Sequence, residues 1–130
     1  MSDDLDALTR VVYGEARGES DEGKEGVAWV VINRSLKSGK SIKYEATKKG
    51  QFCCYKGEMK EKKAKESCKK IAQDAIDGNS SDPTDGATHF YSGDNTPDWA
   101  EGEPCAEIGG HKFFKGIAPY QWINWKIYLW

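Results

Sequence analysis

Gly86-Ala87-Thr88-His89-Phe90-Tyr91 is where the chain changes character. Upstream, apolar residues recur every three or four positions, as on one face of a helix; here short aromatic and β-branched segments take over. Lys112-Phe113-Phe114 is a second segment of that kind, so two strands of a small antiparallel sheet are expected, separated by a long Gly-, Pro- and Trp-bearing loop from Ser92 to Gly110. Helices first and a small sheet after them is an α+β arrangement. Phe90, Phe113 and Phe114 are read as core.

Working back from Gly86, the turn Asn79 to Gly86 follows a helix expected over about residues 60 to 77. Its Ala64, Cys68, Ile71, Ala72, Ala75 and Ile76 share one face, and Gly78 ends it. Residues 40 to 58 show no sustained period and contain Gln51-Phe52-Cys53-Cys54-Tyr55; they read as a structured loop, and loops of that length tend to be functional. Before it, a helix should start after Ser20, with Asp21 and Glu22 in its first turn, run through Val27, Ala28, Val31 and Ile32, and close with Arg34, Lys37 and Gly39. The first helix carries Leu5, Leu8, Val11 and Val12, is entered through Ser2, Asp3 or Asp4, and is expected to stop at Gly18.

Glu15 is the residue of that first helix with chemical interest. At about 100° per residue it falls within the arc of Leu5, Leu8, Val11 and Val12, on the face that should be buried. A carboxyl group placed there is costly to ionise, which suits a general acid that must still hold its proton near neutral pH. The other reading is a structural ion pair with Arg17, Arg34 or Lys24. Glu19, four residues on, is either a second carboxylate on that face or an acidic residue at the start of the next helix.

The composition sets bounds. With 130 residues one domain spanning 1–130 is expected, and no repeat or linker divides it. Nineteen basic against 21 acidic residues, net −2, give no field that would draw the protein to nucleic acid or an anionic membrane. The basic run Lys56 to Lys70 is interleaved with Glu58, Glu61 and Glu66, as on a solvated helix face. No apolar stretch reaches the roughly 20 residues of a membrane span, and the acidic N-terminus does not read as a secretory leader. The four cysteines, Cys53, Cys54, Cys68 and Cys105, form either one or two disulfides or buried thiols. His89 and His111 lack a third ligand nearby in sequence, so no metal and no cofactor is expected.

The run Val12-Tyr13-Gly14-Glu15-Ala16-Arg17-Gly18-Glu19, followed by Glu22-Gly23 and Val30-Val31-Ile32-Asn33-Arg34, resembles the opening of the spore-cortex-lytic cell-wall hydrolases. Later pieces agree in order: Gln51-Phe52, Asp82-Pro83-Thr84, Gly86 to Tyr91, Pro97-x-Trp99-Ala100, and Ile108-Gly109-Gly110-His111-x-Phe113-Phe114. The resemblance covers roughly residues 5 to 116. It implies a lysozyme-like fold, a helical lobe and a small β region around a substrate groove. It also implies cleavage of peptidoglycan between N-acetylmuramic acid and N-acetylglucosamine, usually as a lytic transglycosylase, with Glu15 as the catalytic residue.

Such an enzyme works with one carboxyl group, first acid and then base, so the carboxylate pair of most glycosidases is unnecessary. A hydrolytic muramidase would want a second acid, for which Glu19 and Asp94 are the candidates. A catalytically silent peptidoglycan-binding module is the reading from another class. Around Glu15 the groove is expected to draw on Glu19, on Gln51, Phe52 and Tyr55, and on His89, Tyr91, Trp99 and His111. Aromatic rings suit the apolar faces of sugars, and amides and imidazoles suit their hydroxyl and acetamido groups. The partner is the glycan strand, the protein is expected to be a monomer, and its setting is the bacterial wall, reached by secretion, in the periplasm or as a released phage lysin. The aromatic run Tyr120 to Trp130 lies outside the resemblance and is assigned to packing by default.

Overall fold

Ser2 opens the first helix, its Oγ accepting from the Leu5 backbone N–H at 3.2 Å, with Asp3, Asp4 and Asp6 placed against the positive end of the helix dipole. The computed structural model describes residues 2–48 and 57–115. The expectations for Gln51, Phe52, Cys53, Cys54 and Tyr55 and for the aromatic run Tyr120 to Trp130 therefore lie outside the described residues.

Helix α1 spans Asp3–Ala16 and buries Leu5, Leu8, Val11, Val12 and Ala16. It ends at Arg17 in ordinary right-handed geometry, one residue before Gly18, so no left-handed glycine is needed there. Helix α2, Asp21–Ser38, is capped by Ser20 and stopped by Gly39 at φ 75°, whose N–H bonds back to Ser35. Helix α4, Lys62–Ile76, lays Cys68, Ala72 and Ala75 against α1 and α2, and Gly78 at φ 74° follows its end.

The region expected to be a loop contains a further helix, α3, Ile42–Thr47, capped by Ser41 onto the Tyr44 N–H at 2.9 Å. Six residues are too few to establish a period, which is why periodicity missed it. The burial of Arg34 is a second departure. It was expected to close α2 together with Lys37, yet it is fully buried, four residues short of the helix end.

Among the described residues the sheet has three strands: β1 His89–Ser92, β2 Ala106–Ile108 and β3 His111–Phe114. The order is β1-β3-β2, antiparallel throughout, with Phe90 opposite Phe113 and Ile108 opposite His111. Strand β2 was hidden within the expected loop because three residues carry little pattern of their own.

Side chains alternate across the sheet. Phe90, Phe113 and Ile108 belong to the hydrophobic core shared with the helices. His89, Tyr91 and Phe114 alternate with them on the other side, with Trp99 set against all three rings at 4.9, 6.1 and 5.6 Å. The core side comes close to α2: a Cβ at Gly26 would stand 2.7 Å from Cζ of Phe113. Cys68 and Cys105 are both free thiols; Cys105 donates to the carbonyl of Thr84 at 3.0 Å.

A set of polar bonds ties α2 to the start of β1. Asn33 donates from Nδ2 to Asp82 and to the carbonyl of Ala87, both at 2.9 Å, and Arg34 Nε donates to the carbonyl of Thr88 at 2.6 Å. Asp82 also accepts from the Thr84 N–H and hydroxyl and from the Gly86 N–H. Burial would raise its carboxyl group, but these donors outweigh that and hold it below the usual carboxylate range.

Candidate active site

Glu15 occupies the last turn of α1. Helical geometry carries it onto the side of Val11 and Val12, both fully buried, but the helix ends one residue later, and Glu15 is left half-buried at the edge of the core. Beyond it the main chain borders a cleft of about 330 Å³ whose described lining runs from Gly14 to Glu19. A side chain at Gly18 would meet nothing within 4 Å, so the floor beside the carboxyl group is open to an approaching ligand.

Three cations had been considered as ion-pair partners for Glu15. Arg17 pairs with Glu61, Nε to Oε1 at 3.3 Å, and its guanidinium lies over the Tyr13 ring at 4.9 Å. Lys24 donates to Ser67 at 3.1 Å and stands 3.9 Å from Asp21. Arg34 is the one whose field couples to Glu15. Burial lowers it to about 9, against the opposing pull of Glu45 first and Glu15 second, so it remains a cation at neutral pH. Glu45, contributed by α3, is itself buried and accepts from the Ser38 hydroxyl at 2.8 Å.

Sequence reasoning passed over the Arg34–Glu45 pair. A signal existed for Arg34: Val27, Val31 and Arg34 stand at i, i+4 and i+7, the same apolar-face argument that singled out Glu15. For Glu45 there was none, because a buried carboxylate is defined by its partner and not by its neighbours in sequence.

Glu19 is neither a bare surface charge nor open to the cleft along its whole length. Its Oε1 accepts from the Gly110 N–H at 3.0 Å and lies 3.7 Å from Nδ1 of His111. His111 is almost fully buried, and the Glu15 backbone is one of the groups acting on its ring. Burial lowers its basicity, opposed by Glu19 and by the Glu15 backbone, and burial prevails.

His111 is thus brought to Glu15, while His89 and Tyr91, expected to line the groove, are buried beside Trp99 on the other side of the sheet from Phe90 and Phe113. The reason is parity: His89 and Tyr91 alternate with Phe90, which turns to the core. Burial strongly suppresses protonation of His89, with the charges of Arg34 and Lys37 adding to the effect, and its Nδ1 is within 2.8 Å of the Thr88 hydroxyl. Trp99 is half-exposed and the outermost of that cluster. Among the described residues, no three His, Cys, Asp or Glu side chains gather as a metal site requires.

A family model described as Cell Wall Hydrolase matches residues 18–114, a stretch that includes Glu19 and His111 and begins three residues after Glu15. The spore cortex-lytic enzyme of Bacillus subtilis (strain 168) is 31% identical over 124 residues, covering 86% of this chain and 37% of that protein. The enzyme of the same name from Halalkalibacterium halodurans is 30% identical over 122 residues, covering 85% and 34%. The chain thus spans about a third of the length of these curated relatives. Among solved structures, the catalytic domain of the Bacillus cereus SleB protein superposes with a TM-score of 0.71 at 28% identity, covering 87% of this chain and 90% of that one. The catalytic domain of the germination-specific lytic transglycosylase SleB from Bacillus anthracis gives 0.66 at 28% identity, covering 88% and 96%. The α+β, lysozyme-like architecture expected from the sequence is the one these catalytic domains share.

Proposed function

The chain belongs to the cell wall hydrolase family, and from that premise we propose that it cleaves peptidoglycan strands between N-acetylmuramic acid and N-acetylglucosamine as a lytic transglycosylase. The observation that carries this reading is Glu15 itself, a half-buried carboxyl group at the end of α1, facing an open cleft and lying in the field of a buried guanidinium.

The chemistry needs Glu15 in two states. Protonated, it gives its proton to the bridging glycosidic oxygen as the bond to the muramic acid C1 breaks, and the glucosamine leaves with a free 4-hydroxyl group. Ionised, it takes the proton of the muramic acid C6 hydroxyl, whose oxygen closes on C1 to give the 1,6-anhydro ring. No water is consumed, and the carboxyl group ends as it began.

A group that must alternate between these states within one turnover is served by surroundings that do not change during the reaction. A second free carboxylate, which a water-using muramidase would want, finds little support. Glu19 commits one oxygen to Gly110, and Asp94 is exposed on the loop after β1.

Trp99 is assigned as a stacking surface for a sugar ring, with His89 and Tyr91 packed against it; Gln51, Phe52 and Tyr55, which lie outside the described residues, stay candidates for sugar contacts. A monomer is taken as the working unit in this reading. No described helix is long and apolar enough to cross a membrane. The site of action is the bacterial wall, reached by secretion, in the periplasm or as a released lysin.

Mass spectrometry of fragments released from purified peptidoglycan tests the proposal. Wild type should yield anhydromuramic ends, and Glu15→Gln, which keeps the shape and removes the transferable proton, should yield none. Reducing ends would convert the assignment to a muramidase. Wild-type protein that binds wall without releasing fragments would replace it with a silent binding module.

A further inference from the structure

Glu19 is fixed from two directions. Its backbone N–H bonds to the Ala16 carbonyl at 2.9 Å, in the turn that leaves α1, and its Oε1 holds the Gly110 N–H at 3.0 Å across 91 positions of sequence. The turn it holds is shaped to receive it: Gly109 adopts φ +57°, and a Cβ there would run into Glu19 Oε1. The same oxygen lies 3.7 Å from Nδ1 of His111, a buried nitrogen with no hydrogen-bond partner of its own. The Glu15 backbone also acts on the His111 ring, opposing the loss of basicity that burial imposes.

We propose that Glu19 and His111 are positioning residues for Glu15: Glu19 fastens the β2–β3 turn to the end of α1, and His111, carried by that turn, steadies the main chain from which the Glu15 carboxyl group projects. The proposal rests on Glu15 being the acid and goes beyond it by assigning roles to its neighbours. Past Ala16 the chain leaves the helical hydrogen bonding of α1, and on the cleft side the Glu19 latch is what ties that end of the helix to the sheet. The latch uses one carboxylate oxygen as an acceptor, a task an amide oxygen also performs. That separates it from the three other roles open to Glu19: a second acid or base, a ligand for the sugar, or a surface charge.

The test compares Glu19→Ala and Glu19→Gln in the whole chain, with kcat and KM measured on soluble glycan strands and the Gly110 amide followed by ¹H–¹⁵N NMR. Glu19→Ala should lose about 100-fold in kcat with KM changed by no more than about twofold, because a small misplacement of the acid is felt in the barrier and not in binding. Its Gly110 amide proton should move upfield as the bond to the carboxylate is lost. Glu19→Gln should recover to within about tenfold of wild type and keep the Gly110 bond. A Gln variant as impaired as Ala, a loss confined to KM, or two variants indistinguishable from wild type would each overturn the proposal. The amide resonance reports the latch without reference to turnover, so a latch present in an enzyme that survives Glu15→Gln would sink the assignment of Glu15 alone, and an unmoved resonance in Glu19→Ala would sink the latch alone.

Discussion

The two ends of α2 make opposite use of polar residues. At its far end Asn33 and Thr84 both donate to Asp82, and the buried Arg34 beside them donates to the Thr88 carbonyl, so each named group there answers another group of the protein. At its near end, Glu15 in the last turn of α1 and Glu19 in the turn that follows stand beside a cleft, with glycines where side chains would fill it. Both regions come from motif pieces that drew attention in the sequence, yet one fastens helix to sheet and the other faces a ligand. A motif therefore marks a position under constraint, and burial with internal bonding tells which constraint applies.

The contrast predicts that the cleft can lose its chemistry without losing stability, and the knot the reverse. Glu15→Gln should lower the rate by about 10²–10⁴-fold, with the thermal midpoint unchanged; a parallel fall in the midpoint would show Glu15 to be structural. Arg34 belongs to both regions, so Arg34→Met should cost about 3–5 kcal/mol by leaving Glu45 buried without its cation and should also depress turnover per folded molecule. Urea titration combined with fragment release measures both, and a stable variant would break the comparison at the point where its halves meet.

Asp82→Ala removes the acceptor shared by Asn33, Thr84 and Gly86 and should destabilise by about 2–3 kcal/mol, while molecules that remain folded keep their activity. Gly26→Ala should cost about 1–3 kcal/mol through its contact with Phe113, again without a rate effect once corrected for folded fraction.

Acidity acts on the fold without any substitution. His89 and His111 are both held below the ordinary value of 6.5, so the folded state resists protons that the unfolded state takes up. The stability they lend is complete above pH 6.5 and is lost as pH falls below it, at up to about 1.4 kcal/mol per pH unit for each. Urea midpoints between pH 7 and pH 5 should fall; a flat profile would mean that neither ring is held neutral by the fold.

How much of this was legible beforehand follows from the range of each interaction. Caps at Ser2 and Ser20 and stops at Gly39 and Gly78 act within a turn, and local sequence sufficed for them. Glu15 was legible because one helix supplies both the residue and the apolar face that buries it. Strand β2 exists through its pairing with β3, Glu45 through Arg34, and the hold of Glu19 through Gly110, each a partner distant in sequence that no window contains. Parity put His89 and Tyr91 together, because alternation says which residues share a side without saying which side meets the cleft.

The sheet order has a consequence for how the molecule is made. Strand β3 lies between β1 and β2 yet follows both in the chain, so as the polypeptide leaves the ribosome neither earlier strand has its neighbour until Phe114 has emerged. The helices, whose bonds are local, can form sooner. Gly110 and His111 arrive as β3 begins, so the surroundings of Glu15 are among the last parts of the described fold to be completed, and a half-made chain carries Glu15 before the bond from Gly110 to Glu19 can form.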